Sequence, residues 1–84
     1  MPYITKNDRL RIDQDLPIVN VVEWSAGDLT YGLTRLVVAW FHYRKSYLNI
    51  AIVIGCLVCT ILEFYRRVAA PYEDEKIRVN GDVY

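Results

Sequence analysis

The sequence predicts an all-α protein, a helical hairpin of two long helices with short flanking helices. Three observations carry the prediction. Apolar residues recur at helical spacing through residues 29–40 and again through residues 48–62, and the segments are joined by the short connection Arg44-Lys45-Ser46.

Taken in order, Thr5 followed three residues later by Asp8 has the form of a capping box, with Asp in place of Glu or Gln. It predicts a helical turn through about Ile12. Pro17 follows Asp13, Gln14 and Asp15 and suits a first helical position, so residues 17–24 read as a second short helix. Ile18, Val19, Val21 and Val22 are β-branched and equally suit a strand, which leaves both readings open. Ser25-Ala26-Gly27-Asp28 is a break, with Asp28 as the N-cap of a helix from Leu29 to about Tyr43.

Leu29, Leu33, Leu36 and Trp40 form one stripe on that helix, and Val37 and Phe41 widen it. Arg44 and Lys45 stand where the helix's negative end lies, and Ser46 can cap the next helix. A connection this short predicts a tight hairpin. The next helix is expected from Tyr47 to about Ala70. Its packing or oligomer face holds Leu48, Ile52, Gly55, Cys59 and Leu62 at alternating steps of four and three, set in the hairpin against Leu29, Leu33, Leu36 and Trp40. A second face with Ile50, Ile54, Leu57, Val58 and Ile61 makes it apolar nearly all round. Small Gly55 and Cys59 would let a neighbouring backbone approach, at ~1 kcal/mol of helix propensity for the glycine.

Pro71 is expected to break or kink the helix. Glu73-Asp74-Glu75 followed by Lys76 and Arg78 places acids first and bases last in a final short helix, and Asn80-Gly81 is its stop. No linker divides the chain, so residues 1–84 read as a single helical domain.

The 84 residues carry ten basic and ten acidic side chains, a net charge of zero, which supplies no field for a nucleic-acid backbone. Two cysteines and one histidine are too few for a disulfide framework or a zinc site, so no metal and no cofactor are expected and a reducing compartment fits best. Hydrophobic residues make up 54% of the chain and concentrate in residues 46–62, which hold no charge. A domain this small buries only ~60–65% of its unfolded surface, so help from a partner is expected. A membrane span is the runner-up reading. The unbroken apolar run, Ile50 to Leu62, is thirteen residues if Thr60 is counted, against the ~20 a spanning helix needs. Widening it to residues 47–65 takes in Asn49 and Glu63, and Arg44 and Lys45 on one side balance Arg66 and Arg67 on the other, removing the asymmetry that orients spans. The polar stretch from Met1 to Asp15 does not read as a signal peptide.

Two motifs, Gly27-Asp28-Leu29-Thr30-Tyr31 and the run from Glu63-Phe64-Tyr65-Arg66-Arg67 through Val68-Ala69-Ala70-Pro71-Tyr72-Glu73-Asp74, carry a resemblance. The chain resembles an uncharacterised family of small proteins of bacteriophage and prokaryotic genomes, from Pro2-Tyr3-Ile4 to Asn80-Gly81-Asp82-Val83. The resemblance implies a phage-related setting, in host cytoplasm or a phage particle, and no assigned activity. Relatives of that kind carry charged residues near Val58 and Ile61, so the apolar face here is a departure that implies added self-association, with a move into a membrane as the next reading.

Cys56-Leu57-Val58-Cys59 has a redox spacing, but mid-helix among Ile, Leu and Val the pair reads as core. His42 reads as a helix-end residue favoured by the dipole. Glu63 is expected to pair with Arg66 or Arg67. The functional alternative is that Tyr65, Arg66, Arg67 and Tyr72 grip an anionic ligand or a partner carboxylate. No catalytic residue is assigned, because consecutive Glu73, Asp74 and Glu75 face different directions and no nucleophile, base and orienter set is present. The expectation is a non-enzymatic interaction protein that binds itself or a larger assembly. A phage ligand-binding or host-inhibitor role through the Arg/Tyr patch is the alternative.

Overall fold

The helix caps are built from side chains close in sequence. In the computed structural model, which describes residues 4–16 and 18–84, α1 spans Lys6–Asp15, and Thr5 Oγ1 accepts from the Asp8 N–H at 3.1 Å, as the capping pattern predicts. Helix α2, Ile18–Val21, is one turn long and helical, which decides against the strand reading of this stretch. Pro17, expected at its first position, lies outside the described residues.

Helix α3 spans Ala26–His42, so it starts earlier than Asp28 as N-cap would allow. Ser25 takes the cap instead. The Asp28 N–H donates to Ser25 Oγ at 3.1 Å and the Ser25 N–H donates to Asp28 Oδ2 at 3.0 Å, a reciprocal capping box in which Asp28 is the acid three residues in. Helix α4, Tyr47–Phe64, begins at the predicted cap, with the Asn49 N–H on Ser46 Oγ at 3.0 Å. Asn49 reinforces the connection by donating from Nδ2 to the Arg44 carbonyl at 2.7 Å.

Pro71 does not end the helix. A π-helical turn, Tyr65–Ala69, follows α4 and leads into α5, Ala70–Asn80, so that Tyr47–Asn80 is one continuous helix of 34 residues. The physical reason is local. Proline has no N–H for the carbonyl four residues back, and a wider turn just before it absorbs the mismatch, with the Ala70 N–H reaching back five residues to the Tyr65 carbonyl. The helix stops at the expected place, where Gly81 adopts φ 85° and its N–H bonds the Ile77 carbonyl at 2.8 Å.

The chain divides into two units, Met1–Val38 and Ala39–Tyr84. In the first, Trp24 lies against α3 at Gly32, where a Cβ would sit 2.5 Å from Trp24 Cζ3 and 2.8 Å from Cη2. Trp24, Leu16, Val21, Leu29 and Leu33 line an open apolar groove of about 640 Å³. A rigid indole cannot yield as a flexible side chain would, so Gly32→Ala is expected to expel Trp24 from this position. A red shift of tryptophan emission that is absent when Gly27→Ala is made instead would register it, since a Cβ at Gly27 meets only the Ser25 hydroxyl at 3.8 Å.

In the second unit, α4, the π turn and α5 follow one another along a single axis. Among the described residues none is buried. Leu48, Ile52, Gly55, Cys59 and Leu62, the predicted packing face, are all exposed, and so are Leu29, Leu33, Leu36 and Trp40. The half-buried positions on α3 are Gly32, Val37 and Phe41, of which the sequence placed Val37 and Phe41 at the edge of the stripe.

Candidate interaction segment

The π turn sets the geometry of the segment the sequence singled out. On an α-helix two turns take ~7.2 residues, so residues eight apart diverge by ~80°. One extra residue in a π turn cancels most of that divergence. Tyr65 and Glu73 are thereby brought to one face, and the Tyr65 hydroxyl donates to Glu73 Oε2 at 2.8 Å. The same bond raises the Tyr65 phenol above its ordinary value of 10, because ionisation would lose the bond and place two anions together.

On the N-terminal side of the turn, Glu63 Oε1 accepts from Arg66 Nη2 and from Arg67 Nε, each at 3.0 Å. The pairing expected of these residues is therefore present at both helical spacings. Arg66 first, and Arg67 with it, hold the Glu63 carboxyl down at about 2, and Glu63 in turn raises Arg66. On the C-terminal side, Arg78 grips Glu75 through two bonds of 3.0 and 2.6 Å and lowers its carboxyl. Lys76 Nζ stands 5.4 Å from the centre of the Tyr72 ring, a cation–π distance.

Tyr65, Arg66, Arg67 and Tyr72 are thus all exposed and all on the π turn or the first turn of α5. They are engaged separately: the arginines with Glu63, Tyr65 with Glu73, Tyr72 with Lys76. An incoming anion would have to compete with Glu63 for both guanidinium groups. Sequence reasoning missed Glu73 as the partner of Tyr65, because eight is not a helical spacing; Pro71 between them was the available signal.

Cys56 and Cys59 are free and exposed, so the core burial expected for them is not found in the isolated chain. His42 closes α3 and meets the Tyr43 ring edge-on at 4.7 Å. Arg44 folds back on α3, donating to the Trp40 carbonyl at 2.9 Å with its guanidinium 4.7 Å from the Trp40 ring centre.

These features define an all-α protein dominated by one long helix, apolar in its first half and laced with ion pairs in its second. The chain belongs to the family described as a domain of unknown function, DUF6899, whose model matches residues 1–83. No curated protein and no solved structure matches it.

Proposed function

We propose that this is a non-enzymatic, phage-related, all-α interaction protein that assembles with further copies of itself in the cytoplasm and acts as a subunit or adaptor. One observation carries the reading: no described side chain is buried in the single chain, although the uncharged half of the long helix is built from isoleucine, leucine and valine. Ordering a residue's backbone costs ~1–2 kcal/mol. Burying a Val, Leu or Ile side chain returns ~1.5–3 kcal/mol. A chain that leaves these side chains bare forgoes its main stabilising term, and another protein surface supplies it.

Lipid is the rival cover. Among the described residues Tyr47–Asn80 is the one helix long and apolar enough to cross a membrane. The part of it free of charge up to Leu62 reaches only ~24 Å at ~1.5 Å per residue, short of a ~30 Å hydrocarbon layer. Completing the span would draw Glu63 with Arg66 and Arg67 into lipid, where such groups are expensive. Protein cover has no such cost.

Light scattering on unmodified protein from a detergent-free soluble fraction tests this. The expected mass is a whole multiple of 9.8 kDa. Recovery only with detergent, or a monodisperse species of single-chain mass, would refute it.

A further inference from the structure

We infer that the groove between Trp24 and α3 binds a small amphipathic carboxylate, its apolar chain lying on the indole and its anion on Arg35. The site lies wholly within the first unit and is separate from the self-assembly attributed to α4. Glycine is a poor residue for a helix interior, yet position 32 accepts nothing larger while Trp24 keeps its place, since a Cβ there would stand 2.5 Å from Trp24 Cζ3. Gly32 thereby seats the indole as the floor of a cavity of about 640 Å³, within the ~300–1,000 Å³ range of small-molecule sites.

The two edges of the groove differ in chemistry. At ~100° per residue, Leu29, Leu33 and Leu36 fall ~40–100° to one side of Gly32, and Tyr31 and Arg35 fall ~60–100° to the other. All five line the groove. Tyr31 and Arg35, four residues apart, are neighbours on their edge. Both are exposed, and among the described residues neither side chain has an ion-pair or hydrogen-bond partner. The acid that lines the groove, Asp28, is already bonded through Oδ2 to the Ser25 N–H and stands at the positive end of α3. The charge left without a counter-ion is that of Arg35, whose planar fork matches a carboxylate. A leucine edge opposite a donor edge fits an apolar chain that ends in an anion. Protein cover fits it less well. From Leu29 to Leu36 the groove runs only ~10 Å at ~1.5 Å per residue, whereas a stable protein interface takes ~800 Å² from each partner. An extended decanoyl chain has about that length.

Calorimetry on the unmodified protein with decanoate, decanol and decylamine, each below its micelle or solubility limit, tests the site. Emission of Trp24 in a Trp40→Phe chain locates it, because Trp24 is 40% exposed in the free chain and an acyl chain laid over it shifts emission to the blue. Decanoate is expected to saturate and to bind roughly tenfold tighter than decanol, with decylamine weakest. Arg35→Gln should remove the preference for decanoate and leave decanol binding as it was. Gly32→Ala, by displacing Trp24, should abolish binding of all three while helical dichroism is kept. Equal binding of the three ligands, or a decanoate preference that survives Arg35→Gln, would overturn the assignment of the anion to Arg35. Absence of saturable binding, or binding that leaves Trp24 emission unmoved, would overturn the groove as the site.

Discussion

Val58→Glu combined with Ile61→Glu is expected to take the assembly apart. Val58 and Ile61 are both exposed on the uncharged helix α4, so in an assembly that covers this helix with a second copy the double variant removes four apolar side chains per pair of copies and puts carboxylates in their place. At ~1.5 kcal/mol or more for each lost side chain, the dissociation constant should rise at least about a thousandfold. Sedimentation across a dilution series would show a single-chain species of 9.8 kDa at concentrations where the unmodified protein is fully assembled. Far-ultraviolet dichroism should fall with it, since α4 without cover has only its own propensity to hold it. Val79→Glu, on an exposed site of α5 beyond the uncharged half of the long helix, should leave the mass unchanged. An unaltered mass in the double variant would show that this face is not what holds copies together.

The elements were legible where the signal is local. Thr5, Ser46 and Gly81 act within four residues of their own positions, and each does what its residue type dictates. Asp28 was placed wrongly because Ser25 and Asp28 are both good caps, and only the reciprocal pair of bonds between them decides which is first. The ion pairs of Glu63 were equally legible, being fixed by helical spacing alone. The Tyr65 to Glu73 bond was not, because it depends on a change of helical pitch. Burial was the least legible quantity of all. Periodicity tells which residues share a face; it does not tell whether the surface covering that face belongs to the same chain, and the exposed Leu48, Ile52 and Leu62 are the instance here.

Pro71→Ala is expected to erase the π turn. The substitution restores an N–H able to reach the Arg67 carbonyl, so the wider turn at Tyr65–Ala69 loses its cause and the helix can run through in α geometry. A proline within a helix costs ~3 kcal/mol or more, part of which the π turn relieves, so the melting temperature should rise when it is removed. The same change rotates everything beyond residue 70 by ~100° about the axis, which carries Glu73 away from Tyr65 and breaks their bond. In the native protein that bond raises the Tyr65 phenol. A phenol raised by folding favours the protonated state, so its contribution to stability is complete below about pH 10 and disappears as pH climbs through the raised value. Pro71→Ala should therefore return Tyr65 toward ordinary titration while stabilising the helix. Glu73→Gln should lower the Tyr65 titration too, but with the π turn and the melting temperature at neutral pH left nearly unchanged. Ring-carbon chemical shifts of Tyr65 followed against pH separate the two variants. If Tyr65 still titrates high after Pro71→Ala, the turn is set by something other than the missing N–H, and the assignment of its origin to proline fails.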